Sequence, residues 1–207
     1  LKLAICVPVC DRGIGKDIVR TYFRKIREHR DTRDAMIFAA IMDFTQEDLW
    51  EEIIEFELSG VIWRDARVPL ATNRREIIEK FRGNGETHWL FHDDDIFISE
   101  RTSYAEMMEK CMEPGTGCVS LNWRKAAPLC DRVELKKEFV EQPIVNIGGG
   151  MMFHATIADI VIPDGTAWMF DDAQYALNTY LAGLRNYRYL GGIAEHRIMG
   201  KGGLIKS

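Results

Sequence analysis

The sequence predicts an α/β fold in which a mostly parallel sheet is covered by helices on both faces. Two observations carry that expectation. Short apolar runs alternate with stripes of helical period through the first half of the chain, and the short runs stop at polar or acidic residues, Asp11, Asp43 and Asp93. Strands alternating with helices belong to parallel sheets, whose ligands sit beyond the carboxyl ends of the strands.

The elements follow in order. Residues 3–9 form an apolar run too short for a helix and rich in Ile and Val, a buried strand. Ile18, Val19, Tyr22, Phe23 and Ile26 then fall on one helical stripe, with Arg and Lys on the other face up to about Arg30. A second strand covers residues 35–42, a helix 47–58, and a short strand 61–63. Asn73-Arg74-Arg75-Glu76 has the pattern of a capping box opening a helix that buries Ile77, Ile78 and Phe81. The strand at 87–92 runs into Asp93-Asp94-Asp95. Beyond it come a helix through Tyr104, Met107, Met108 and Cys111, a strand near 117–123, and a mixed, charged excursion over 124–143. The apolar stretch 144–153 is interrupted by Gly148-Gly149-Gly150. A helix follows Asp171-Asp172, and two last strands lie at 187–190 and 193–196, before a glycine-rich tail.

The chain has 207 residues, 46% of them apolar, with 27 Lys+Arg against 32 Asp+Glu and a net charge of −5. That size makes one domain able to bury roughly 70% of its unfolded surface, so no disulfide or structural metal is needed to hold a core. The mild acidity disfavours a protein whose whole surface coats nucleic acid and leaves a local basic groove open. No apolar run approaches the ~18 residues of a membrane span. The five cysteines, Cys6, Cys10, Cys111, Cys118 and Cys130, show no CxxC pair. A reduced, cytoplasmic, soluble protein is expected, with Cys6 and Cys10 as buried structural thiols.

Three consecutive carboxylates at a strand end repel one another unless a cation neutralises them, and oxygen ligands there suit Mg²⁺ or Mn²⁺ better than zinc. The plain alternative is a solvated acidic turn. Asp11 and Asp43 have a similar alternative as caps of the helices that follow them. Gly148-Gly149-Gly150 allows a ligand close to the backbone, or marks a bulge in an apolar strand. Asp171 and Asp172 open a helix, where one acid serves as a cap and the second is left over. His92, next to the triplet, reads as a core residue because neighbouring side chains alternate along a strand.

In its order of elements the chain resembles a nucleotide-sugar-dependent glycosyltransferase of the GT-A fold, inverting and similar to family 2. The resemblance rests on the opening strand ending in Val7-Pro8-Val9-Cys10-Asp11-Arg12, the second strand ending in Asp43, the helix before the DxD-bearing strand and the triplet 93–95. The glycines before Met151, the acid pair and the late His196 complete it. It implies a Rossmann-type three-layer sandwich with a small antiparallel element on the acceptor side. Residues of about 1–98 would form the nucleotide-binding half and about 99–207 the acceptor-binding half. Pro8, Val9, Asp11 and Asp43 would flank the base, Asp93 would lie near the ribose or a metal-bound water, and Asp94 would share the metal work with its neighbours. Asp95 and His196, assisted by Asp93, would hold Mn²⁺ or Mg²⁺. Gly149 and Gly150 would lie under the donor sugar, and Lys201 would steady the leaving diphosphate. Asp172 would act as general base with Asp171 as a donor or acceptor contact.

The family often has Arg directly before the Asn of the helix preceding the DxD strand; here Thr72 stands before Asn73. Arg67, Arg74 or Arg75 could replace it, or form a solvated basic face. Trp123, Arg124, Lys125, Trp168 and Tyr175 are candidates for acceptor contacts, with core or surface filling as the competing reading. The donor is a nucleoside diphosphate sugar; the acceptor, a saccharide, protein, small molecule or modified DNA base, stays open. A sugar-phosphate nucleotidyltransferase using the loop Asp11-Arg12-Gly13-Ile14-Gly15-Lys16, and a non-catalytic sugar- or nucleotide-binding module, are the rival readings.

Overall fold

A computed structural model describes residues 1–10, 16–125, 135–144, 150–162 and 171–196, with residues 16, 97–98, 123–125, 171–172 and 193–196 described through their backbone alone. The elements run β1 (Leu3–Cys10), α1 (Lys16–Glu28), β2 (Met36–Met42), α2 (Gln46–Glu55), β3 (Gly60–Arg64), α3 (Leu70–Phe81), β4 (His88–His92), β5 (Ile96–Ile98) and α4 (Tyr104–Cys111). They continue with β6 (Thr116–Lys125), β7 (Phe139–Glu141), β8 (Gly150–His154), α5 (Ala158–Val161), α6 (Asp171–Leu181) and β9 (Arg185–His196).

The described strands join one sheet in the order β3-β2-β1-β4-β8-β6-β9-β5, with β7 paired to β9. β3, β2, β1 and β4 are parallel. β8 runs against β4 and β6, and β9 is parallel to β6. β5 and β7 both run against β9. The expected α/β sandwich, mostly parallel with antiparallel strands in the second half, is what forms.

Alternation along β1 explains the three layers. Leu3, Ile5, Val7 and Val9 join one buried cluster with Val19, Tyr22 and Phe23 of α1, Leu49 of α2, and Tyr104 and Met107 of α4. Ala4 and Cys6 join the other, with Ile77 and Ile78 of α3, Ala158 and Val161 of α5, and Tyr175 and Ala176 of α6. Successive side chains of a strand point to opposite faces, so a continuous apolar run makes two cores at once. Arg27 fastens the edge of the first layer by donating to the carbonyls of Phe56, Arg33, Ala35 and Glu57.

Three sequence expectations are corrected. Asn73 does not cap a helix: α3 opens at Leu70 after Pro69, and Asn73 lies inside it, fully buried. Its side chain accepts from Arg64 Nε at 3.0 Å and donates to Met42 Sδ at 3.1 Å, so tertiary partners supply what a cap would have. Asp43 does not cap α2 either, because Thr45 and Asp48 form the capping box there. The two last strands are one, β9, with a register shift against β6 between Leu121 and Asn122 that passes from Tyr189 to Ile193. Gly191 and Gly192 occupy that irregularity; a Cβ on Gly192 would come within 2.6 Å of Leu121 and 2.7 Å of Thr102. Cys6, Cys10, Cys111 and Cys118 are buried and not in disulfides; Cys130 lies outside the described residues. Among the described residues no helix is long and apolar enough to cross a membrane.

Candidate active site

The parallel strands place their carboxyl ends along one edge, and the strand order reverses between β1 and β4, the position where open α/β sheets bind ligands. The ladder joining β1 to β4 stops at Cys6 and Phe91, while β1 continues beside β2 to Cys10. Pro8, which has no N–H to give a ladder, stands in the stretch where β4 pairing has ended. Pro8 and Val9 are both buried. Beyond them, the Cys10 N–H donates to Asp94 Oδ2 at 3.0 Å, tying the end of β1 to the acidic turn.

The three acids therefore differ. Asp94 is fully buried and Asp95 is 7% exposed. Asp93, half-buried, accepts from Arg74 Nη2 at 2.6 Å. Arg74 is itself 3% exposed and sits over the Phe91 ring, 5.4 Å from its centroid. The solvated basic face considered for Arg74 is thus corrected: α3 buries this guanidinium against the acidic strand end. Arg75 pairs instead with Glu79 on its own helix, 3.4 Å away. Arg67 pairs with Asp43, whose backbone is left-handed at φ 65°, a conformation that Asp tolerates better than most residues.

His92 is a core residue, as its place in the strand predicts. It is fully buried, and its two ring nitrogens meet two tyrosine hydroxyls, Nδ1 with Tyr22 Oη at 3.0 Å and Nε2 with Tyr104 Oη at 3.2 Å. Burial, then the charges of Arg74 and His29, push the His92 pKa down to about 3, so the ring is neutral. Burial also raises both tyrosines well above their ordinary value, and the nearby Asp94 and Asp93 add to the shift of Tyr22. Reading the sequence found His92 but not its two partners, since Tyr22 and Tyr104 fall on apolar stripes and look like simple core.

The sheet brings the second half of the chain to the same edge. Gly150 pairs with His92. A Cβ there would come within 2.8 Å of the Leu121 side chain, so close packing already accounts for this glycine. His196 pairs with Ile96, the residue after Asp95, and with Lys125 at the end of β6. Residues about a hundred positions apart thus share one edge at backbone level, and the end of β6 carries Trp123, Arg124 and Lys125 to it as well. Asp171 and Asp172 form the first turn of α6. Tyr175, three residues on, is fully buried with its ring 5.0 Å from that of Phe91, which sets the start of α6 over the end of β4. Tyr175 is therefore part of the core, the competing reading for this residue. Asp11, Gly149, Lys201, Trp168 and the loop 11–15 lie outside the described residues.

Among the described residues no three His, Cys, Asp or Glu side chains make a metal cluster; the side chain of His196 is not in that set. The donor chemistry nonetheless suits a hard divalent ion. Carboxylate oxygens are concentrated at a strand end, two of the acids are buried, and the backbone of a histidine runs alongside.

No protein-family model and no curated protein sequence matches the chain. Solved structures do resemble it. GalNAc-T7 in complex with UDP, GalNAc and Mn²⁺ superposes with a TM-score of 0.73 at 13% identity, over 95% of this chain and 44% of that one. TarS of S. aureus with UDP-GlcNAc gives 0.69 at 11%, over 100% of this chain and 62% of that one. The mannosyltransferase PcManGT of Pyrobaculum calidifontis with GDP-Man and Mn²⁺ gives 0.68 at 13%, over 98% and 58%. The fold is GT-A. At these identities the GT-A fold is what is shared, and the chain spans about half to three-fifths of the length of these GT-A proteins.

Proposed function

We propose that this chain is a metal-dependent glycosyltransferase that moves a sugar from a nucleoside diphosphate sugar to an acceptor hydroxyl with inversion. The observation that carries the reading is the pairing of Ile96 with His196, which lays the end of β9 beside the acidic turn at the β1/β4 switch point. The structural neighbours in complex with UDP and GalNAc, UDP-GlcNAc or GDP-Man, two of them with Mn²⁺, support the donor class and the metal.

In this reading Asp95 and His196, with Asp93 assisting, would hold Mn²⁺ or Mg²⁺. An ion held there would supply positive charge against the diphosphate. Pro8, Val9, Asp11 and Asp43 flank the base, Asp94 holds the turn near the phosphates, and Gly149 and Gly150 line the donor sugar. Asp172 takes the proton of the acceptor hydroxyl while its oxygen attacks the anomeric carbon; the bond to the diphosphate breaks, and Lys201 offsets the charge of the departing nucleoside diphosphate. Asp171 contacts donor or acceptor.

The test is a donor screen by thermal shift with and without Mn²⁺, followed by product analysis. A stabilising nucleoside diphosphate sugar, and release of nucleoside diphosphate, are expected. Pyrophosphate release would instead establish nucleotidyl transfer. Asp95→Asn should abolish turnover with the fold intact, and Asp172→Asn should lower kcat by about 10²- to 10⁴-fold with little change in KM. Full turnover in excess chelator would end the metal assignment.

A further inference from the structure

We infer that His92, braced between Tyr22 and Tyr104, is a positioning residue that sets the geometry of the acidic turn. The metal-binding consequence rests on the function proposed above; the positioning itself does not. His92 is the last residue of β4 and directly precedes Asp93. A neutral imidazole offers one donor and one acceptor, and both are used here, toward α1 through Tyr22 and toward α4 through Tyr104. One tyrosine therefore donates to the ring while the other accepts from it.

The brace spans the helical layer on one face. The Tyr22 and Phe23 ring centroids lie 5.3 Å apart, and the Tyr22 ring also meets that of His92 edge-on at 5.8 Å between centroids. Tyr104 is held from the other side by His29, at 5.2 Å between centroids. With two helices fixing the ring, β4 has one rotation about its end. The turn that follows is then set relative to Cys10, whose N–H reaches Asp94, and to the Ile96 N–H, which donates to the Asp93 carbonyl at 3.4 Å. A leucine or phenylalanine at position 92 would fill the space but leave both tyrosine hydroxyls buried with nothing to meet. That cost explains a polar residue in the middle of a core.

Tyr22→Phe, Tyr104→Phe and the double variant remove only the hydroxyls and keep the ring packing. Amide hydrogen exchange followed by NMR reads the turn without any metal, and Mn²⁺ titration followed by EPR reads its consequence. Losing both bonds should speed exchange of the Cys10 and Ile96 amides by about thirtyfold and weaken Mn²⁺ binding to a similar degree, at roughly one net hydrogen bond's worth of free energy per hydroxyl. Leu49→Ala, a buried change on the same face in α2, serves as the control for general destabilisation and should leave Mn²⁺ affinity as it is. Unchanged protection at both amides in the double variant overturns the inference, as does an equal effect of Leu49→Ala. Faster exchange in a protein whose parent binds no Mn²⁺ would uphold the brace and remove the metal reading instead.

Discussion

Arg74 shows how a single side chain settles the character of the acidic turn. It is buried, stands over Phe91 and donates to Asp93, so the protein itself supplies a cation to this carboxylate. Arg74→Leu removes that cation and leaves Asp93 in a half-buried site built for an ion pair. Breaking a buried pair from one side costs about 3–5 kcal/mol. Partial exposure of Asp93 puts the expectation near the lower end, about 3 kcal/mol, read from the urea midpoint at constant m-value. A loss below about 1 kcal/mol, the range of surface pairs, would mean that solvent reaches the carboxylate freely. The arginine itself was visible in the sequence as one of three candidates. Its burial was not, because Arg67, Arg74 and Arg75 look alike until the helix is rotated against the sheet.

At the scale of elements, β9 departs most from its sequence pattern. Gly191-Gly192 looks like the turn between two strands, and each flanking run has strand composition. In the fold the chain passes through without turning back, because β6 lies beside both runs and absorbs the difference as a shift in register. The far run can then reach β5 and carry His196 to the acidic turn. Gly192→Ala would press a methyl group against Leu121 and Thr102, which are both buried. Overpacking of this kind costs about 1–3 kcal/mol. The variant should lower the melting temperature measurably and reduce donor binding by thermal shift, since the end of β9 moves with the bulge. A variant as stable as the parent would place the irregularity elsewhere. The helix α3 makes a similar point: the residues 73–76 satisfy the local rule for a cap, but Pro69 starts the helix a turn earlier and Asn73 finds Arg64 and Met42 inside.

For the whole molecule, acid sensitivity follows from its buried histidines. Burial, with the neighbouring His154, pushes His88 down to about 4, and burial lowers His29 as well. The unfolded chain binds these protons near the ordinary histidine value of about 6.5, while the folded chain refuses them until lower pH. The stability they confer is therefore complete above about pH 6.5 and is lost as pH falls, down to about 4 for His88. Urea midpoints should fall steadily over that window and be flat from pH 7 to 8. His88→Gln should reduce the slope; an unchanged slope would assign it to other groups. Both core clusters draw residues from before and after position 98, so the halves that the resemblance assigns to nucleotide and acceptor share their packing.

The sequence by itself determined the layered α/β class, the positions of most elements and the location of the acids at strand ends, since all of these follow from local periodicity and from charge at the end of apolar runs. It also determined that His92 belongs inside. Only the tertiary structure decided that Arg74 pairs with Asp93, that Gly150 is there for packing, that Tyr175 is core, that Tyr22 and Tyr104 meet the His92 ring, and that His196 lies beside Ile96. Each of those depends on pairings between residues far apart in the chain. Such pairings are set by strand register and by the rotation of helices over the sheet, which no local pattern encodes.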